Sequence, residues 1–271
     1  MSTGAGRAGQ NLARLPVTTT DLLKAAGLAF VIVDHIGLFL LPEQEWWRVF
    51  GRAAAPVFFF LIGFGRGRDV PWTWFALGFA LTALDFVSNR STADMQLNLL
   101  LSFALLRAAR PHAEALASRP AALVLAAGLL VGLIPVLAPF LEYGAEGWLW
   151  ALFGLAQRQR LDEPPGRAGT LAALAVAVTA GVAYWATERQ DYGFAALQST
   201  VLAGLTGSLA ALLWQFRRAE IRGPSPARAA RMLRFCGRRS LEIYGVTLFV
   251  MQLLGYALHG PQGDDPDDAD T

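Results

Sequence analysis

The chain has 271 residues, of which 54% are hydrophobic and only 16% are charged. An ordinary soluble domain is about 25% charged, so this composition predicts a membrane protein. The net charge of +2 gives no indication of a nucleic-acid partner, and the single cysteine, Cys236, excludes an intramolecular disulfide.

Apolar runs separated by polar breaks predict an all-α, polytopic integral membrane protein with about nine transmembrane helices. Residues 1–20 form a polar tail, and residues 260–271 form an acidic tail that we expect to be disordered. Residues 21–259 are expected to form a single transmembrane domain. The predicted spans are, in chain order, 22–41, 46–65, 70–87, 94–109, 120–141, 144–157, 169–186, 194–216 and 239–258.

The distribution of lysine and arginine predicts the orientation of these spans. With the amino terminus in the cytoplasm and nine crossings, most basic residues lie on the cytoplasmic side. If the short sixth segment re-entered instead of crossing, the arginine-rich stretch from Arg217 to Arg239 would move outside. We therefore expect the amino terminus inside and the carboxyl terminus outside, in the inner membrane of a bacterium.

The predicted topology places polar residues from different spans in one layer near the outer face. Asp34 and His35 interrupt the apolar run VIVDHIGLFL, and His35 lies roughly 21 Å above the inner face at the helical rise per residue. Arg52 enters from the outer side to a depth of about 9 Å by the same rise. The other members of the layer lie at span ends or in the outer turn: Asp85, Asn98, Glu142 and Glu146.

Charged groups at membrane depth cost about 2.5–3.5 kcal/mol, so they pair or line a wet cavity. Asp34 and Arg52 are expected partners, either as a structural pair or as a substrate contact. The proton of a histidine exchanges near neutral pH, which suits His35 to act as a general base. Asp85 or Glu142 on another span could orient its ring. Alternatively, His35 hydrogen-bonds a neighbouring helix and only adds packing specificity.

Several sequence blocks resemble the TraX family. They are DLLKAAGLAFVIVDHIGLFL, WRVFGRAAAPVFFFLIGFG, LDFVSN with LNLLLSFALL, and EYGAEGWLWALFGL, and they cover residues 21–157 in order. Proteins of this family are associated with N-terminal acetylation of conjugative pilin. The family resembles a wider group of multispan acyltransferases that includes acyltransferase-3 proteins and heparan-alpha-glucosaminide N-acetyltransferase.

The resemblance implies that His35 is the catalytic base and that Asp34 and Arg52 shape its site. The predicted substrate contacts, several of which fall in the matching blocks, are Arg52, Asp85, Asn98, Glu142 and Tyr143. The run GRRSLEIYGVTLFV is similar to the closing helix of such acyltransferases, but Thr247 stands where a second histidine is expected.

Acetyl-coenzyme A is the implied acyl donor, and it is a cytoplasmic molecule that carries several phosphate charges. Arginine binds phosphate through its forked donors. The arginines expected to hold the nucleotide end are Arg217, Arg218, Arg238 and Arg239. Positive-inside topology, or attraction to anionic membrane lipids, would also place arginines there. The acceptor could be an amine or hydroxyl of an exported protein, a glycan or a lipid, with direct transfer favoured over an acyl-histidine intermediate.

Two other functions compete with the enzyme. A proton-coupled transporter would use Asp34, His35 and Arg52 as its substrate site. However, the chain shows no internal repeat, and its polar groups lie near one face instead of at the membrane midplane. A non-catalytic membrane scaffold is the third possibility. No cluster of residues has metal-ligand spacing, so we expect no metal.

Overall fold

The computed structural model describes residues 16–89, 96–221 and 227–259. Within these ranges the chain is helical, and β-structure is limited to two isolated bridges, Thr18 with Glu220 and Leu97 with Leu141. The all-α prediction is confirmed for this part of the chain. The predicted tails lie outside it, the first as far as residue 15 and the second throughout 260–271.

The predicted segments all overlap helices. In chain order the helices are α1 (Thr19–His35), α2 (Glu45–Gly51), α3 (Ala54–Phe64), α4 (Trp72–Asn89), α5 (Leu99–Ala117), α6 (Pro120–Leu137), α7 (Ala145–Asp162), α8 (Arg167–Tyr192), α9 (Ala196–Gln215), α10 (Ala227–Arg238) and α11 (Ser240–His259). A π-helical turn, Ile36–Leu40, continues α1. The second predicted span is divided between α2 and α3, and α10 is a basic helix that the span prediction omitted.

Six segments among the described helices are long and apolar enough to cross a membrane. They are Thr19–Leu40, Glu45–Phe64, Pro120–Leu137, Arg167–Tyr192, Ala196–Gln215 and Ser240–Leu258. The predicted spans 70–87, 94–109 and 144–157 are not in this set. A membrane protein is therefore supported, while nine crossings and the orientation stay predictions.

Helix α7 shows why hydropathy alone does not decide which of these helices cross a membrane. From Ala145 to Arg158 almost every residue of α7 is buried against other helices. By contrast, α6 exposes large apolar side chains such as Leu125 and Leu129 along its length. A helix surrounded by protein does not need a lipid-like surface, so it can carry polar residues at both ends.

The core lies where α3 packs against α7. Gly63 of α3 lies on the backbone carbonyl of Ala151, and Gly154 of α7 lies on the carbonyl of Phe60. A Cβ atom at either glycine would collide with the opposite backbone. Small residues allow this close approach of two helices, which fixes the register of α3 against α7.

Candidate functional site

One pocket collects polar side chains from widely separated parts of the sequence. It has a volume of 280 Å³ and is lined by α1, α2, α4, α7, α8, α11 and the segments that precede α5 and α7. We call it the His35 pocket. Of the predicted catalytic and substrate-binding residues, those that line it are Asp34, His35, Arg52, Asn98, Glu142 and Tyr143. Asp85 belongs to α4, and its side chain lies outside the described part of the structure.

The predicted Asp34–Arg52 pair is present within a larger ion network. Arg52 donates from Nη2 to Oδ1 of Asp34 at 2.7 Å, and Arg48 donates from Nη1 to Oδ2 at 2.9 Å. Arg52 also contacts Glu188, with Nη1 3.3 Å from Oε2. The hydroxyl of Tyr192 accepts hydrogen bonds from Arg48 at 2.8 Å and from Arg52 at 3.1 Å. One carboxylate therefore lies between two guanidinium groups.

The local sequence explains this arrangement. Arg48 and Arg52 are four residues apart, so on successive helical turns they face the same side. Gly51 lies directly on the backbone of Asp34, and a Cβ at this position would collide with Asp34 Cα and Cβ. Because residue 51 is glycine, α2 can lie close enough to α1 for both arginines to reach one carboxylate.

The charged members of this network are all buried. A buried ion is costly unless its partners satisfy it, and the contacts of Asp34 and Arg52 meet that condition. Their hydrogen-bonding capacity is largely used within the protein. This geometry favours the alternative in which Asp34 and Arg52 shape the pocket over the one in which they contact substrate.

Two titratable groups in the His35 pocket retain atoms without a partner. His35 is 6% exposed, and its Nδ1 has no hydrogen-bond partner among the described residues. Glu146 is 5% exposed, and its Oε2 also lacks a partner there. Such buried atoms are uncommon, because leaving one unsatisfied costs about 1–3 kcal/mol. These two groups therefore retain capacity to bind a ligand or move a proton.

The imidazole of His35 packs against two aromatic side chains. Its centroid lies 5.9 Å from that of Phe39, in an edge-on arrangement, and 5.9 Å from that of Tyr244. The expectation that a carboxylate orients the ring is not met at Nδ1, which makes no hydrogen bond. Aromatic side chains pack against the ring, and the prediction that Asp85 or Glu142 orients it stays a prediction.

Asn98, Glu142 and Tyr143 form another wall of the pocket. Asn98 caps α5 by accepting a hydrogen bond from the Leu100 amide at 3.1 Å, and its Nδ2 lies 3.3 Å from the hydroxyl of Tyr244. Glu142 Oε2 accepts from the Leu99 amide at 3.0 Å. Tyr143 has a φ of 52°, in the left-handed region that is unusual for a residue with a side chain. Such strain is common at functional sites.

Sequence reasoning missed several residues of the site. They are Arg48, Glu188, Tyr192 and Tyr244, and Glu146 was placed in the layer without a role. A usable signal existed for two of them, since Glu188 and Tyr192 are one turn apart in the polar end of α8. Tyr244 lies in the SLEIY run that carries part of the family resemblance.

The four arginines predicted to hold the donor lie at the other end of α1. The Arg217 carbonyl accepts from Thr19 Oγ1 at 2.7 Å, and the Gly237 carbonyl accepts from Lys24 Nζ at 2.8 Å. The side chains of all four are exposed: Arg217, Arg218, Arg238 and Arg239. Arg239 also approaches Glu242, with 3.7 Å between Nη1 and Oε1. Among the described residues, no group of three His, Cys, Asp or Glu side chains could hold a metal ion.

The fold and the pocket define a helical membrane protein with a buried polar site at one end of its helices. The profile of the family described as "TraX protein" matches residues 19–226, which is most of the chain. The chain therefore belongs to the TraX family. The relation to acyltransferase-3 proteins and to heparan-alpha-glucosaminide N-acetyltransferase stays a prediction.

A short stretch is also similar to a curated protein of Rickettsia prowazekii (strain Madrid E), named "Uncharacterized protein RP591". The two are 48% identical over 44 residues, which is 16% of this chain and 18% of that protein. The match thus spans less than a fifth of the relative's length. No solved structure matches the chain.

Proposed function

We propose that the protein is a membrane-embedded acyltransferase that moves an acetyl group from cytoplasmic acetyl-coenzyme A to an amine or hydroxyl of an acceptor reached from the outer face. The observation that carries the proposal is the buried imidazole of His35 in a polar pocket, with an Nδ1 that has no partner in the part of the chain that the structure describes. The TraX family is linked to acetylation of conjugative pilin, which supports a transferase.

His35 serves as the general base in this proposal. A neutral imidazole has one nitrogen lone pair that can accept a proton. The acceptor nitrogen or oxygen attacks the thioester carbonyl and passes its proton to His35. As the new bond to the acetyl carbon forms, the carbon–sulfur bond breaks, and the coenzyme thiolate leaves and takes up a proton. Transfer is direct, so no acyl-histidine forms.

The charge of the His35 pocket favours an amine acceptor. Five carboxylate residues line it, against two arginines: Asp34, Glu142, Glu146, Glu188 and Asp191, with Arg48 and Arg52. A surplus of acidic groups attracts a cation such as a protonated amine. Glu146, whose Oε2 has no partner among the described residues, is placed to receive the ammonium group, which gives one proton to water before its lone pair can attack.

The same titratable groups would also serve a proton-coupled transporter. Such transporters bind substrate near the membrane midplane, where it can be reached from either side. The His35 pocket instead lies toward one end of several helices, beside the end of α1, the cap of α5 and the first turn of α7, although α4 and α11 contribute residues from their middle turns. This position favours an enzyme with an acceptor that arrives from one side.

The test uses purified protein in lipid vesicles that enclose acetyl-coenzyme A labelled in its acetyl group, with a peptide amine outside. We expect the label to appear on the outer peptide, and we expect His35→Gln to lower the rate about 10²- to 10⁴-fold, the usual contribution of a general base. Glu146→Gln should lower the rate less, through weaker binding of the amine. His112→Gln, an exposed histidine of α5, is the matched control and should act like the wild type.

The three functions give different results in this assay. Uptake of the outer amine without acetylation would indicate a transporter, and neither uptake nor acetylation would indicate a scaffold. Full transfer by a correctly folded His35→Gln protein would remove the assigned base.

A further inference from the structure

A second polar cavity, of 440 Å³, lies at the opposite end of α3, α5 and α7. Its lining residues are Arg66, Arg68, Glu114, Arg158, Gln159 and Asp162. We call it the arginine cavity. None of these residues entered the predicted donor site, which was assigned to arginines near the carboxyl-terminal helices.

Guanidinium groups outnumber carboxylates at the arginine cavity. Glu114 binds three arginines, with 2.9 Å between the paired atoms in each case: Arg68, Arg110 and Arg158. Asp162 binds Arg66 at 2.6 Å. Four cationic side chains therefore share two carboxylates, and the excess positive charge attracts an anion.

Buried arginines hold the segment that carries the exposed ones. Arg158 donates to the Gly65 carbonyl at 3.0 Å, and Arg110 donates to the Gly67 carbonyl at 2.9 Å. The side chains of Arg66 and Arg68, on the same segment, are 71% and 66% exposed. The backbone, held in place, thus presents two exposed guanidinium groups over a cavity, and their forked donors suit a phosphate.

The arginine cavity and the His35 pocket are joined by the same helices. Glu146 and Arg158 lie on α7, about 18 Å apart by the helical rise. Helix α5 similarly begins at its Asn98 cap and carries Glu114 in its last turns. An anion held in the arginine cavity therefore lies at the far end of the same helices, α5 and α7, that reach the His35 pocket. The exposed Arg217 and Arg218 lie instead beside the start of α1.

We propose that the arginine cavity binds a phosphate group through the exposed Arg66 and Arg68, while the buried Arg158 holds the segment that carries them. Resting on the proposed function, the phosphate would belong to the nucleotide end of the acyl-coenzyme A donor. A phosphate of an anionic lipid head group has the same chemistry and is the other source. The side chains of Phe59, Phe103 and Phe153, on the helices that join the two cavities, are fully buried, so an acyl arm that passes between these helices would displace some of them.

The first arm of the test measures binding of coenzyme A, without an acetyl group, to purified protein in a neutral detergent by titration calorimetry. The double variant Arg66→Gln with Arg68→Gln removes two exposed charges, so it should fold normally. We expect it to weaken binding about tenfold or more, and to reduce the salt dependence of binding. The matched control, Arg217→Gln with Arg218→Gln, removes the same charge from the originally predicted site and should bind as the wild type does.

The second arm replaces detergent with phosphatidylcholine vesicles that contain or lack phosphatidylglycerol. If coenzyme A does not bind but phosphatidylglycerol raises the melting temperature of the wild type and not of the Arg66/Arg68 variant, the phosphate comes from lipid. If neither ligand depends on Arg66 and Arg68, or if only the Arg217/Arg218 variant is affected, the proposal is wrong. Because the readout is binding, it is independent of acetyl transfer, and a His35→Gln protein should still bind coenzyme A.

Discussion

The His35 pocket and the arginine cavity contain the same kinds of charged side chain but use them differently. In the pocket, Asp34 lies between two buried arginines, and the buried atoms without a partner among the described residues belong to His35 and Glu146. In the arginine cavity, Arg66 and Arg68 are mostly exposed and can leave their carboxylate partners. The comparison teaches that burial, more than charge, decides which groups are committed to structure and which stay available for a ligand.

The largest expected difference in the free energy of unfolding is between two variants, each of which lacks one carboxylate, one in the His35 pocket and one in the arginine cavity. Asp34→Asn leaves Arg48 and Arg52 buried with too little negative charge, and we expect the free energy of unfolding to fall by about 3–5 kcal/mol. Asp162→Asn removes the partner of Arg66, an exposed pair, and should cost at most about 1 kcal/mol. Thermal unfolding of both proteins in the same detergent measures the difference. Equal losses would contradict the distinction between a buried network and a surface pair.

A second contrast tests the close packing that forms the buried network. Gly51→Ala places a methyl group against the backbone of Asp34, so α2 must move, and we expect a loss of about 1–3 kcal/mol. Gly204→Ala is the matched control, because it lies within α9 with no atom near the added Cβ. It should raise helix stability by up to about 1 kcal/mol. Opposite shifts in melting temperature would support the role of Gly51, whereas a stable Gly51→Ala protein would contradict it.

A third contrast concerns how stability depends on pH through Glu114 of the arginine cavity, which lies beyond the end of the predicted span 94–109. The hydrogen bond from Arg110, together with those from Arg158 and Arg68, lowers the pKa of Glu114 from 4.5 to about 2. A carboxylate with a lowered pKa stabilises the fold fully above its unfolded value, and this contribution is lost as the pH falls toward the folded value. The wild type should therefore be more stable than Glu114→Gln at neutral pH.

That advantage should shrink as the pH falls below 4.5, since the unfolded chain then takes up the proton first. Melting temperatures of both proteins, compared between about pH 6 and about pH 3, measure the change. A difference that stays constant over this range would show that Glu114 stabilises the protein by packing and not by its charge.

Much of the site could be predicted because charged residues in apolar runs are conspicuous. Asp34, His35 and Arg52 stand out for this reason, and span order was enough to place Asn98 and Glu142 at the same end. Arg48 was overlooked because it follows Trp46 and Trp47 and resembles an exposed interfacial residue. Its pairing with Asp34 depends on how α2 is rotated, and sequence spacing does not determine that.

The arginine cavity could not be predicted for a different reason. Arg66, Glu114 and Arg158 lie in three separate segments, each of which resembles an ordinary basic or polar cytoplasmic end. Their meeting depends on the packing of α3 against α7 through Gly63 and Gly154. Helix α7, which carries Arg158, is buried within the protein. Its hydropathy therefore gave little information about which helices pack around it.

The sequence by itself determined the helical membrane class and the approximate helix positions, because hydrophobic composition and its breaks are local properties of the chain. It also determined which titratable residues lie near one end of the helices. Tertiary structure decided which of them are satisfied and which remain free, since helix rotation and close packing set each side chain's partners. The free Nδ1 of His35 and the shared carboxylate of Asp34 both follow from those long-range contacts.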